Sequence, residues 1–166
     1  MLTFNSKGFL TPDSNLPITL AEFQQAFVVG FDVRSKRRAL FDEFKRYFRD
    51  FFEAIEVDEI YVWGNGSFVT QKENPNDIDF VFFLDSELVD KFANIINRQF
   101  THPESKHLYQ MDAFLLRDYS ETHPEHFFTV SDRAYWFELF SRTRKDRRGH
   151  SHKKGFVELK ISRHEV

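Results

Sequence analysis

From Leu40 to Ile55 the chain repeats apolar side chains at helical spacing. Leu40, Phe41, Phe44, Tyr47, Phe48, Phe51, Phe52 and Ile55 fall on one side of a helix. The charged residues Arg37, Arg38, Lys45, Arg46 and Arg49 are placed elsewhere on its surface. So wide an aromatic side needs a sheet to lie on, which explains the stripe more simply than an aromatic ligand box does. The same demand runs through the whole chain. Of its 166 residues 22 are Phe, enough for a bulky aromatic core and for a sticky apolar patch left at the surface.

After this helix the period changes. Ile60-Tyr61-Val62-Trp63 is a short β-rich run ended by Gly64-Asn65-Gly66, and Ile78 to Leu84 is a second. The polar stretch between them, with Lys72, Glu73, Asn74, Pro75 and Asn76, reads as a loop near its C-terminal end. Helical spacing returns after Ser86 with Leu88, Val89, Phe92, Ile95 and Ile96. Met111 to Leu116 is a third strand, and Ser131 is placed to cap a last helix carrying Tyr135, Trp136, Leu139 and Phe140. Gly155 to Ile161 alternates like a closing strand. Upstream, residues 1–18 read as an extended, turn-rich arm, Thr19 and Glu22 form a capping box for a helix from Leu20 to about Val28, and Ser35 is the expected cap of the Phe-striped helix. The expectation is one α/β (α+β) domain over residues 1–166, a mixed β-sheet flanked by helices.

Composition removes several classes of function. With no cysteine, disulfides, Cys-zinc sites and thiol catalysis are excluded. No apolar run is long enough to span a bilayer, and Met1 to Asn5 lacks the charged start of a signal peptide, so the expected location is cytoplasmic, without a membrane. A net charge of −3 argues against a generally basic nucleic-acid binder. Positive charge is nevertheless concentrated over 142–154, where Arg142, Arg144, Lys145, Arg147, Arg148, Lys153 and Lys154 surround one acid, Asp146. This segment reads equally as a site for tRNA or triphosphate phosphates and as a solvated hairpin.

Three features carry chemistry. Gly64-Asn65-Gly66-Ser67 follows a strand, where glycines permit a tight turn and close approach of the backbone to a ligand, and free amides suit phosphate oxygens. An ordinary strand-to-helix turn uses the same residues. Asp77-Ile78-Asp79 opens a strand, so Asp77 and Asp79 project to one side while Ile78 enters the core. Two carboxylates so placed repel unless a cation compensates, and Mg²⁺ or Mn²⁺ prefers oxygen ligands. The alternative is a pair of exposed acids capping nearby loops. Asp112 is a lone acid in the apolar run Met111-Asp112-Ala113-Phe114-Leu115-Leu116, needing either a place beside the first two or a salt bridge to an arginine. If its strand neighbours the one beginning at Asp77, three carboxylates meet at one edge, and such a trio can hold two metal ions about 3.5–4 Å apart.

Gly66-Ser67, nine residues, Asp77-x-Asp79 and a later strand Asp112 together resemble the DNA polymerase β-type nucleotidyltransferase superfamily. The wider frame is similar to a family of small uncharacterised bacterial proteins (DUF6932-like). That frame is carried by Phe4-x-x-x-Gly8, Gly66-Ser67-Phe68-Val69-Thr70, Pro75-x-Asp77-Ile78-Asp79 and Lys154-Gly155-Phe156-Val157-Glu158-Leu159. The resemblance implies a minimal nucleotidyltransferase fold. It also implies that Gly66 and Ser67 hold nucleotide phosphates, that Asp77 and Asp79 bind Mg²⁺ or Mn²⁺, and that Asp112 completes the metal site and helps deprotonate the acceptor. The chain has no room for the extra recognition domain of larger polymerases, and so resembles the minimal nucleotidyltransferases found as toxins or antitoxins.

The expected activity is transfer of NMP from an NTP to a hydroxyl of an acceptor, which is RNA such as tRNA, a partner protein or a small molecule. Lys72 is a further candidate for phosphate binding, with Thr70 nearby, and a solvated loop lysine is its other reading. His150 and His152 are a weak metal pair, and Trp136 is a core residue with an edge able to stack a base. Two rival functions stand beside the enzyme: a non-catalytic, antitoxin-like partner-binding module, and an RNA binder working through 142–154. The Phe-rich surfaces leave room for a homodimer.

Overall fold

The computed structural model describes residues 2–166. Its main element is a five-stranded mixed sheet built from β3 (Asn15–Ile18), β4 (Glu59–Asn65), β5 (Ile78–Asp85), β6 (Met111–Asp118) and β7 (Phe156–Ser162). The spatial order is β3-β7-β4-β5-β6, with β3 parallel to β7, β4 antiparallel to both its neighbours, and β5 parallel to β6. A separate two-stranded sheet pairs β1 (Thr3–Phe4) with β2 (Leu10–Thr11). The helices are α1 (Leu20–Gln24, prolonged by a wider turn to Val29), α2 (Arg37–Ile55), α3 (Ser86–Lys91), α4 (Ala93–Ile95), α5 (Glu104–Tyr109) and α6 (His126–Phe140). The expected mixed sheet flanked by helices is therefore present. None of the described helices is long and apolar enough to cross a membrane.

The aromatic stripe of α2 lies on the sheet as its spacing demands. Phe44 and Phe48 meet Phe80 at ring separations of 5.6 and 5.5 Å, and Phe51 meets Phe82 at 5.3 Å. Edge-to-face and tilted contacts of this kind add about 0.5–1.5 kcal/mol per pair beyond the area they bury. Phe23 of α1 extends the cluster by stacking on Phe44 and Phe68. The Thr19–Glu22 capping box forms as expected, Glu22 N donating to Thr19 Oγ1 at 3.1 Å and Thr19 N to Glu22 Oε2 at 2.8 Å.

Strand alternation gives the sheet two unequal faces. Ile78, Phe80, Phe82 and Leu84 face α1 and α2, in the larger core. Trp63, Val81, Phe83, Leu116 and Phe156 face the other way, where they form a smaller cluster with Phe140 of α6.

Several details differ from the sequence reading. The supposed arm over residues 1–18, whose Met1 lies outside the described residues, contributes a hairpin and the edge strand β3. β7 does not close an edge but is inserted between β3 and β4. Lys36 directly precedes α2 and offers no side-chain cap, while Ser35, one residue earlier, accepts from Arg37 N through Oγ at 3.3 Å and donates to Glu73 O at 2.5 Å. α6 starts at His126, five residues before Ser131, because His126 Nδ1 engages Tyr119 O at 2.7 Å and Thr129 Oγ1 accepts from Tyr119 N at 2.8 Å. Trp136 is half-buried against Phe114 and Phe140.

The largest departure is Arg37, placed on the surface of α2 by its spacing but fully buried in the structure. Its guanidinium donates to the carbonyls of Phe27, Phe68, Thr70 and Lys72 at 2.6–2.9 Å, and it lies 3.8 Å from the ring centre of Phe31. Burial pulls its pKa down to about 10. One side chain thus gathers the end of the α1 segment, the start of α2 and the loop that leads from β4 to β5.

Candidate functional site

Asp77 directly precedes β5, Asp79 is its second residue, and Asp112 is the second residue of β6. The parallel register sets Asp79 opposite Asp112, and the antiparallel register sets Asn65, the last residue of β4, opposite Asp79. Both acids point to the sparsely covered face, on the side of Val81 and Phe114. One carboxylate oxygen from each of Asp77, Asp79 and Asp112 lies within 4.8 Å of the others. Among the described residues this is the one group of three His, Asp or Glu side chains near enough to share an ion, so His150 and His152 join no such group.

Gly66 turns the chain at the end of β4 with φ +74°, in the left-handed region that favours glycine. A Cβ there would lie 2.5 Å from Asp79 Cγ and overlap Oδ2. Gly66 therefore lets the turn lie directly on the Asp79 carboxylate. Ser67 is half-buried, and its carbonyl accepts from Thr70 Oγ1 at 2.7 Å. Lys72 contributes its carbonyl to Arg37, while its exposed side chain forms no ion pair among the described residues.

The cations beside the acids are others. Lys106 of α5 donates from Nζ to Asp77 Oδ2 at 2.8 Å and to Asp112 Oδ2 at 2.7 Å, bridging the two. His102 Nδ1 lies 2.8 Å from Asp112 Oδ1, with its ring stacked on Phe114. Lys154, just before β7, is buried and hydrogen-bonded through Nζ to Asn65 Oδ1. No motif marks Lys106 or His102, since both stand in the loop and short helix that lead into β6. Lys154 had a sequence signal, a cation next to a strongly apolar strand.

Charge follows position. Burial, then the neighbouring Asp77 and Asp112, push the Asp79 carboxyl up to about 6, although Arg144 and Lys106 oppose the rise. For Asp112, burial also opposes ionisation, but the hydrogen bonds from Lys106 and His102 together outweigh it and hold the carboxyl below its ordinary range. The hydrogen bonds to Asp112 and Asp77 raise Lys106. Burial lowers Lys154 to about 8, against the pull of Asp79.

The basic segment ends at Lys154, whose Nζ bonds Asn65 opposite Asp79, so its base lies beside the site. It is a hairpin, with Thr143 N donating to His152 O at 2.8 Å and a tip in which Asp146 Oδ1 accepts from Arg148 N and His150 N. Arg142, Lys153 and His150 find acidic partners in Glu138, Asp13 and Asp146, whereas Arg144, Lys145, Arg147 and Arg148 have none among the described residues. A separate cleft of about 500 Å³, lined by Asp85, Asp118, Tyr119, His126 and Arg133, lies at the opposite, C-terminal ends of β5 and β6.

A family model described as a family of unknown function (DUF6932) matches residues 2–160. The chain belongs to this family. No curated protein and no solved structure matches it. The region shared with DUF6932 takes in Gly66, Asp77, Asp79, Asp112, His102, Lys106, the basic hairpin and Lys154. Membership of DUF6932 brings no activity with it, so the chemistry rests on the geometry.

The donor set at the acids suits a hard divalent cation, because it consists of carboxylate oxygens. The Lys106 ammonium between Asp77 and Asp112 supplies an independent sign that this position calls for positive charge.

Proposed function

We propose that the chain is a divalent-metal-dependent nucleotidyltransferase, moving a nucleoside monophosphate from an NTP to an acceptor hydroxyl. The observation that carries this reading is the convergence of Asp77, Asp79 and Asp112 within 4.8 Å, beneath a glycine turn with no room for a side chain. Asp77, Asp79 and Asp112 would hold Mg²⁺ or Mn²⁺, which supplies neutralisation of phosphate charge and acidification of a bound hydroxyl. Gly66 and Ser67 offer a tight turn against the acids for the triphosphate, with the ammonium of Lys154 hydrogen-bonded to the adjoining Asn65. The acceptor oxygen forms its bond to the α-phosphorus as the bond to pyrophosphate breaks. Its proton passes to Asp112, kept ionised by Lys106 and His102. No covalent intermediate is required, and positioning with electrostatic stabilisation carries the rate.

A thermal-shift series with each NTP, with and without Mg²⁺ or Mn²⁺, tests this on wild type and on Asp77→Ala/Asp79→Ala. The expected result is metal-dependent stabilisation by at least one nucleotide, lost in the variant. One observation favours a second reading, a non-catalytic partner-binding module: Lys106 already balances two of the three acids without an ion. Under that reading no nucleotide shifts the wild type in any metal.

A further inference from the structure

Between Arg142 and Lys154 the chain gathers seven of its 23 basic side chains and one of its 26 acidic ones, with no apolar side chain at all. By sequence this segment is either a phosphate site or a solvated hairpin, and its folded form is not that of a loose loop. The base is braced on two sides. Lys154 N donates to Ser141 O at 2.8 Å, and Lys154 Nζ reaches Asn65, the strand partner of Asp79. From the N-terminal residues, Asp13 pairs with Lys153 at 3.1 Å, Lys7 Nζ lies 2.9 Å from His152 Nε2, and Leu10 O accepts from Gly155 N at 2.8 Å. The tip is held as well. Asp146 Oδ1 accepts from the amides of Arg148 and His150 at 2.8 and 2.9 Å, and its Oδ2 lies 3.7 Å from His150 Nδ1. The one acid of the segment is thus taken up within the turn. Arg144, Lys145, Arg147 and Arg148 remain exposed, with no acidic partner among the described residues. Like charges held so close repel one another, and an anion lying across them relieves that repulsion.

We infer that this hairpin binds the phosphate backbone of a nucleic-acid strand, with Arg144, Lys145, Arg147 and Arg148 on its phosphates. Composition separates this partner from a protein. A protein interface has an apolar, desolvated centre, which the segment lacks, whereas nucleic-acid interfaces are polar and strongly positive. Three of the four cations are Arg, whose planar fork takes two phosphate oxygens at once. A single triphosphate is too small an occupant. Bound at the acids with divalent ions and with Lys154 close by, its charge is already balanced, so four further cations match a longer polyanion. From the Arg142–Lys153 bridge to Asp146 the hairpin runs four residues, about 13 Å at 3.3 Å each, enough to follow a strand past one nucleotide. Neither a metal nor an NTP enters this inference, so it stands apart from nucleotidyl transfer.

Fluorescence anisotropy of a labelled oligouridylate, in EDTA and without NTP, tests it. Four phosphate contacts at about 0.7 each set the slope of log affinity against log salt near −3, so affinity should fall about 50-fold from about 50 to about 200 mM salt. Arg147→Gln/Arg148→Gln is expected to halve that slope and to weaken binding at the lower salt by about tenfold or more. Arg38→Gln/Arg49→Gln removes the same charge from exposed positions on α2 and is expected to change neither, with the melting temperature of both variants as the check on folding. An oligothymidylate of the same length identifies the source of the phosphate chain: equal affinity means that the site takes RNA and DNA alike, and a preference names one of them. No binding by wild type at the lower salt overturns the inference, and so does equal weakening by the two double variants. Displacement of the strand by inorganic tripolyphosphate at equal phosphate concentration overturns it as well, because a single triphosphate would then fill the site.

Discussion

The charge of Asp79 bears directly on the stability of the fold. Its carboxyl titrates near 6 in the folded chain against an ordinary value of 3.8, so the folded state holds the proton more tightly than the unfolded state. Ionisation therefore works against folding: the penalty is absent below about pH 4, grows through pH 4–6 and is complete above. At about 1.36 kcal/mol per unit it amounts to roughly 2–3 kcal/mol. Asp79→Asn is accordingly expected to raise the melting temperature at pH 7.5 in EDTA and to give no gain at pH 4, as read by thermal denaturation across pH. Equal gains at both pH values would contradict this. Lys106 works in the other direction. Lys106→Met removes the ammonium that bridges Asp77 and Asp112, so the variant should melt earlier than wild type in EDTA and gain more from added Mg²⁺. An unchanged Mg²⁺ increment would show that the amine and the ion do not share a position.

At the scale of elements, the junction of α2 with the β4–β5 loop hangs on Arg37. Arg37→Met leaves the carbonyls of Phe27, Phe68, Thr70 and Lys72 without their donor, at a cost on the order of 3 kcal/mol. At about 2–4 °C per kcal/mol for a chain of this size, the melting temperature should fall by about 6–12 °C. A drop within the error of the melt would refute this role. This junction also shows where local sequence stops being informative. The stripe of α2 was legible because each apolar position repeats a rule of spacing, and so was the alternation that sends Ile78 into the core and Asp79 out of it. Arg37 obeys no such rule. Its partners are main-chain carbonyls of two separate segments, which carry no residue identity, so nothing in the sequence distinguishes it from the exposed Arg38 beside it. The early start of α6 was hidden for a similar reason, since its first turn is held by Tyr119 and Thr129 rather than by a capping side chain.

Across the whole molecule, the sheet divides the work. One face takes the Phe-rich core under α1 and α2. The other, covered mainly by α6, carries the acids beside the basic hairpin. That Asp77, Asp79 and Asp112 would meet was legible once their strands were taken as neighbours, because register then leaves little freedom. The insertion of β7 between β3 and β4 was not, since pairing partners far apart in the chain are set by the global packing. Lys106 and His102 reach the site from the segment before β6, and their arrival depends on how that segment folds back on the strand ends. The account turns on whether this edge binds a divalent ion. Electron paramagnetic resonance of Mn²⁺ titrated with wild type and with Asp77→Ala/Asp79→Ala, alone and with an NTP, measures that directly. The account predicts loss of the free Mn²⁺ signal with wild type, stronger with the nucleotide present, and an unaltered signal with the variant after correction for Mn²⁺ held by the nucleotide itself. Equal Mn²⁺ binding by the two proteins, or none by either, would contradict it.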